Sequence, residues 1–351
     1  MLAPLFYAWE RRLFSHSSAD RVVRPFEWGL DWLPSNGHAP GTPEHVILEA
    51  WAKCALADSP AFFAAPPTRD YRWEPEQSGD ATCAGTVSFP SVITTPHPEN
   101  NIVYGRLFPA SRKKGGAEDR RKAVVVLPQW NSDAGGHVGL SRLLAYFGVN
   151  ALRLSLPYHD RRMPPILNRA DFIVSSNVAR TVQVCRQAVV DARRAVAWLA
   201  EQGYERIGIL GTSLGSCLAM LTSAHEPLIC TAALNHISRY FADVVWEGLS
   251  TEHVRSGFDG HITLDHLRDL WMPISPQAYV DRMRDKTTLL VYARYDTTFP
   301  VHLSLDLIRE FQRLDVPFQL SVLPCGHYTT GLTPFKYIDG YLLTKFLVKN
   351  L

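Results

Sequence analysis

Six short and nearly continuous apolar runs, separated by segments of helical pattern, constrain this chain more than any other feature. Ala123–Leu127 reads Ala-Val-Val-Val-Leu, and similar runs lie at Val149–Leu156, Arg206–Leu210, Ile229–Leu234, Thr288–Ala293 and Phe318–Leu323. A strand with one face in water alternates apolar and polar residues, whereas a continuous run suits a strand covered on both faces. The clearest intervening helix spans Asn177–Gln202, where Val184, Ala188, Ala192, Ala195, Trp198 and Leu199 form one apolar stripe. Alternating strands and helices imply an α/β fold, a doubly wound and mostly parallel sheet with helices on both faces. Ahead of this block, Thr86–Thr94 and Ile102–Phe108 are predicted as a strand pair.

Two stretches depart from the rhythm. Residues 1–83 hold five tryptophans among prolines and two predicted helices, and form an N-terminal extension packed on a core domain of residues 84–351. In the first helix Leu2, Leu5, Phe6, Trp9 and Leu13 share one face, which is expected to pack on the main domain. A membrane-surface contact is the alternative, because Arg11 and Arg12 stand beside the aromatic residues. The second stretch is an insertion at about 237–286, much longer than an ordinary α/β connection. Its apolar residues Phe241, Val245, Trp246, Leu249, Leu264, Leu267, Leu270 and Trp271 fit a helical cap above the sheet.

Composition narrows the function classes. A formal net charge of +2 gives no reason to expect a nucleic-acid partner. The basic run from Arg112 to Lys122 is interrupted by Gly115-Gly116 and reads as a solvated loop. Six scattered cysteines form no CxxC and no zinc spacing, so neither a metal nor a disulfide framework is expected. There is no glycine-rich phosphate loop, and no cofactor is implied. No apolar run approaches ~20 residues, and the N-terminus lacks the charge order of a signal peptide. A cytoplasmic location is the expectation.

The chemistry is carried by three strand ends. Arg206–Leu210 runs into Gly211-Thr212-Ser213-Leu214-Gly215, with a helical segment following. This is a G-x-S-x-G pattern in the strand–turn–helix context it requires. A serine lifted above the sheet needs a very tight turn, so its neighbours must be small. It also needs a base, and the base needs orienting. Thr288–Ala293 ends in Arg294-Tyr295-Asp296, and Phe318–Leu323 ends in Pro324-Cys325-Gly326-His327. Singly, Asp296 would equally suit a helix cap and His327 a structural role. Together, at the strand ends where α/β sheets bind ligands, they read as a serine nucleophile with its acid and base.

From about residue 84 onward the chain resembles the α/β-hydrolase superfamily of serine hydrolases, with a fainter likeness to its esterase and dienelactone-hydrolase-like branches. The resemblance implies Ser213 as nucleophile, His327 as general base and then acid, and Asp296 as the residue that fixes the imidazole. It also implies an oxyanion hole of two backbone amides, those of Leu214 and Trp130. Relatives commonly carry His-Gly at the end of the first of these strands, where this chain has Pro128-Gln129-Trp130-Asn131. Gln129 then occupies the usual glycine position, and Asn131 offers its side chain as an alternative donor. Tyr158, His159 and Arg161 follow another strand and suit either a substrate carboxylate or phosphate, or ordinary salt bridges. Gln129, Asn131 and His236 complete the candidate substrate-binding set.

The expected activity is hydrolysis of a small-molecule carboxylic ester with an apolar acyl or aromatic part, through an acyl-enzyme. A thioesterase or a peptidase/amidase on the same three residues is the alternative, and a non-catalytic binding protein of this fold is the third reading.

Overall fold

The computed structural model describes residues 2–18, 20–34, 41–77, 79–80, 82–110 and 122–351. Among these, nine strands form a single sheet: β1 (Arg72–Pro75), β2 (Gly85–Pro90), β3 (Ile102–Phe108), β4 (Lys122–Leu127), β5 (Asn150–Leu154), β6 (Arg206–Thr212), β7 (Ile229–Asn235), β8 (Thr287–Ala293) and β9 (Gln319–Leu323). Their order across the sheet is β1-β2-β3-β5-β4-β6-β7-β8-β9. The first three and the β3–β5 pair run antiparallel, and β5, β4, β6, β7, β8 and β9 form a parallel block. The helices are α1 (Ala3–His16), α2 (Glu44–Ala57), α3 (Ser59–Phe62), α4 (Val138–Tyr146), α5 (Val178–Glu201), α6 (Leu214–His225), α7 (Phe241–Glu247), α8 (Glu252–Ser256), α9 (Leu264–Leu270), α10 (Val301–Arg313) and α11 (Phe335–Asn350). The architecture is the α/β-hydrolase fold, with helices on both faces of the sheet.

Five of the six apolar runs have the burial their composition demands, whereas the last, Phe318–Leu323, contains edge strand β9, where Leu320 and Val322 are exposed because no further strand covers that side. In β4, Ala123, Val125 and Leu127 join the core shared with α5 and α6, while Val124 and Val126 join the opposite core with Leu144, Phe346 and Leu347. Helix α5 is capped by Asn177, whose side chain accepts the Arg180 amide at 2.9 Å. Its buried carboxylate is partnered: Asp191 accepts from Ser91 Oγ at 2.7 Å and from Arg162 Nη2 at 2.8 Å. Such pairing is what keeps buried charge tolerable.

Several expectations are corrected. The sheet begins before residue 84, because β1 pairs with β2 along its whole length. The strand read as Thr86–Thr94 stops at Pro90, which has no amide to continue a ladder. In α1 only part of the apolar stripe meets the domain: Leu2, Leu5 and Trp9 are exposed, Leu13 is half-buried, and Phe6 stacks on Tyr295 with ring centroids 4.5 Å apart. The remaining contact comes from Glu10, which is fully buried and accepts two loop amides. The insertion after β7 consists of α7, α8, α9 and short 3₁₀ turns, with Phe241, Val245, Leu267, Leu270 and Trp271 buried in the main core. The basic run through Arg121 lies outside the described residues. All six cysteines are free. No helix among the described residues is long and apolar enough to cross a membrane.

Candidate active site

After β4 the chain turns to one side to form β5, and β6 returns to the other side of β4. Ligands bind in the crevice that such a reversal opens at the carboxyl ends of the strands. Ser213 stands there, directly after β6, at φ 58° and ψ −123°. This conformation is costly for a residue with a Cβ and is held by its surroundings. The Ser213 amide donates to the Asn235 carbonyl at 2.8 Å, and the Ser213 carbonyl accepts the Ser216 amide at 2.8 Å. The glycines are required by close approach. A Cβ on Gly215 would overlap the Leu127 and Pro128 carbonyl oxygens, and one on Gly211 would overlap the Gly215 carbonyl. Leu214 begins α6, so its amide has no partner within the helix and points toward the crevice end where negative charge is favoured.

Asp296 follows β8 and is fully enclosed. Its Oδ1 accepts the amides of Thr298 at 2.9 Å and Phe299 at 2.7 Å. Its Oδ2 accepts two imidazoles, His327 Nδ1 at 3.0 Å and His236 Nδ1 at 2.8 Å. An ionised carboxylate only accepts, so both rings carry their proton on Nδ1. The two ring centroids lie 4.7 Å apart. Burial alone would raise the Asp296 pKa, but the His327 charge and the hydrogen bonds from His236 and His327 hold it well below the usual carboxylate range. Burial alone would lower that of His327, and Asp296 beside it raises it instead. Sequence spacing gave no sign of the second imidazole on Asp296. His236, Asp296 and His327 offer three possible metal-ligand atoms within 4.8 Å of one another, and these atoms are engaged in the hydrogen bonds just described.

The loop that carries His327 is fixed from outside the sheet. Glu10 of α1 accepts the Tyr328 and Thr329 amides, each at 2.8 Å. Gly326 packs so closely on Glu10 that a Cβ there would overlap its carboxyl carbon. The Phe299 ring stacks on His327 at 5.5 Å with planes 5° apart. Sequence reasoning missed Glu10, which reads as part of a solvated helix face.

Ser213, Leu214, His236 and His327 line one cavity of about 1930 Å³, together with Gln129, Trp130 and Asn131. The Trp130 indole donates to the Ala170 carbonyl at 2.9 Å, which orients its loop. The Asn131 backbone amide donates to His159 Nε2 at 2.9 Å, and the Asn131 side-chain oxygen accepts the Ala170 amide at 2.8 Å. Gln129 Oε1 is buried without a protein partner. Tyr158 and His159 are not among the cavity's lining residues. Both are fully buried, Tyr158 bonding His97 at 3.0 Å and His159 donating to the Pro157 carbonyl at 2.8 Å. Burial pushes the His159 pKa down to about 4, so the ring is neutral and free to accept from Asn131. His159 thereby holds the loop at Asn131, while Tyr158 is tied to His97 and, through its amide, to the Asn100 side chain. Arg161 does reach the cavity rim, with its side chain 64% exposed and 3.8 Å from Glu74.

Residues 183–336 match the profile of the prolyl oligopeptidase family. No curated protein matches the sequence. Among solved structures, the acetyl xylan esterase 1 of a Thermoanaerobacterium species superposes with a TM-score of 0.61 at 10% identity, covering 97% of this chain and 98% of the other. The acetyl xylan esterase of a Paenibacillus species gives a TM-score of 0.61 at 13% identity, over 92% of this chain and 98% of the other. The acylaminoacyl peptidase of Pyrococcus horikoshii gives 0.58 at 14% identity over 80% of this chain, which spans only 42% of that enzyme's length. At these identities the likeness is one of fold.

Proposed function

We propose that this chain, a serine hydrolase of the α/β-hydrolase superfamily, cleaves carboxylic esters through an acyl-enzyme on Ser213. The observation that carries the reading is the convergence, on one cavity, of a serine at a positive-φ elbow and an imidazole bonded to a buried carboxylate. Ser213 Oγ attacks the ester carbonyl while His327 Nε2 takes its proton. Asp296 keeps the His327 proton on Nδ1, so Nε2 is the basic nitrogen. The amides of Leu214 and Trp130 receive the oxyanion. His327 then protonates the departing alcohol, and water clears the acyl group by the same steps in reverse roles.

The esterase reading draws support from the acetyl xylan esterases, which match over 98% of their lengths. The insertion at 237–286 serves as the cap: Phe241, Val244 and Val245 line the cavity and offer an apolar acyl or aromatic group a place to be buried. A peptidase or amidase is the second reading, favoured by the family match, which spans Ser213, Asp296 and His327.

Labelling with a fluorophosphonate tests the serine. Wild type should label, and Ser213→Ala and His327→Ala should not. A 4-nitrophenyl ester and the anilide of the same acid then separate the readings. Faster turnover of the anilide would make the peptidase reading the better one, and a folded wild type that takes no label would end both.

A further inference from the structure

The cavity wall beyond His327 carries a positive charge that no nearby carboxylate pairs. Beside Arg21, two further guanidiniums, those of Arg24 and Arg169, pair with the carboxylates of Asp20 and Asp171. Asp171 takes Arg24 at 3.1 Å and Arg169 at 3.4 Å, and Asp20 takes Arg169 at 2.9 Å. Arg21 is left without an acid among the described residues. Its Nη1 donates to the Ser250 carbonyl and its Nη2 to the Tyr328 hydroxyl, each at 2.9 Å. Its guanidinium lies 4.3 Å over the Phe14 ring, and its Nε is buried with no partner. Glu10 sits behind the same loop, but both its oxygens are taken by the Tyr328 and Thr329 amides.

Arg21 lines the cavity beside Ser250 and Tyr328. Arginine is the residue suited to a carboxylate.

We propose that Arg21 forms a subsite for a carboxylate carried by the substrate, at the end remote from the bond that is cleaved. The proposal rests on the ester reading and deepens it, naming half-esters and other carboxylate-bearing esters as the substrate class. Arg21 supplies the charge. Because Tyr328 and Ser250 hold the guanidinium, substrate binding need not order it.

Two substrate series test this. One uses 4-nitrophenyl monoesters of dicarboxylic acids from adipate to suberate, against the same esters capped as methyl esters. The other uses 4-acyloxybenzoates against 4-acyloxybenzoate methyl esters, which moves the charge to the leaving group. In at least one series, wild type should favour the anionic member in kcat/KM by tenfold or more. That ratio should fall at least tenfold in Arg21→Gln, survive in part in Arg21→Lys, and shrink in 0.5 M salt. No anionic preference in wild type in either series overturns the proposal, as does a preference indifferent to Arg21→Gln. Should Arg21→Gln not fold, Arg21→Lys and the salt titration decide in the same way. Fluorophosphonate labelling and turnover of the neutral esters report on the ester reading separately, so its failure is distinguishable.

Discussion

Substituting His236 by alanine removes one of the four donors on Asp296 while leaving His327 in place. A hydrogen bond to a charged group contributes about 1.5–3 kcal/mol to stability. At about 2.1 cal/mol/K of unfolding entropy per residue over 351 residues, its loss lowers Tm by about 2–4 °C. The informative effect is on the base. His236 and His327 compete for a single oxygen, and coupling of about 10–30% between adjoining bonds makes that competition worth about 0.2–0.9 kcal/mol. Without His236 the carboxylate holds the His327 imidazolium more tightly, so the His327 pKa rises by about 0.1–0.7 unit. The protonated ring is no base, and the acid limb of kcat/KM moves to higher pH by that amount. His236→Asn is the control, because its amide nitrogen falls where Nδ1 sits and asparagine tolerates the φ of 56° there. The assay is the pH profile of 4-nitrophenyl butyrate hydrolysis. An acid limb unmoved in alanine, or moved equally in asparagine, would refute competition for Oδ2 and leave His236 a space-filling residue.

Asp296→Asn, which cannot accept two N–H groups on a nitrogen, should lower kcat on the order of 10⁴-fold, read from initial rates with the same ester. The same pair should differ in stability by a pH-dependent amount. The folded Asp296 pKa lies below its unfolded value, so its contribution is full above about pH 4 and declines as pH falls through the unfolded value toward the folded one. Denaturation midpoints should therefore converge below pH 4, and a gap constant from pH 7 to 3 would contradict the assignment. Glu10→Ala strips two buried amides of their acceptor and should cost about 2–6 kcal/mol, with activity falling as the His327 loop loosens. Calorimetry and kcat on one preparation check both.

What the sequence disclosed follows from which forces act locally. Strands β4, β6, β7 and β8 are covered on both faces and had to be written as unbroken apolar runs. The edge strand β1, Arg-Trp-Glu-Pro with all four residues exposed, answers only to its ladder with β2 and leaves no pattern. The strand ends presenting Ser213 and Asp296 were legible for the same reason as the strands, whereas β9, which leads to His327, is a mostly exposed edge strand. The partners of those residues were not. His236 and Asp296 are 60 positions apart, and Glu10 and Tyr328 are 318 apart, so no window on the chain contains either pair. In α1 the stripe of Leu2, Leu5, Phe6, Trp9 and Leu13 suggested one buried face; Phe6 does pack on Tyr295, but two loop amides are satisfied by Glu10, which is turned inward while Leu2, Leu5 and Trp9 stay exposed. Tyr158 and His159 were assigned to the substrate by their place after β5, but their polar atoms are already satisfied inside the protein.

The sheet and the segments outside it divide the work of the site. Strand ends supply Ser213, Asp296 and His327, and the parallel block together with Glu10 behind the His327 loop sets their geometry. The cavity walls come from elsewhere: Arg21 from the N-terminal segment and Phe241, Val244 and Ser250 from the insertion after β7. These walls are tied to the chemistry by short bonds. Ser250 Oγ meets both Thr298 Oγ1 and the Tyr328 hydroxyl at 2.7 Å, and Thr298 in turn donates its amide to Asp296. A change of wall residue at Arg21 or Ser250 is therefore felt at Asp296 and His327 through two or three hydrogen bonds. In this architecture selectivity and rate are mechanically linked, and substitutions in the first 24 residues should alter kcat as well as KM.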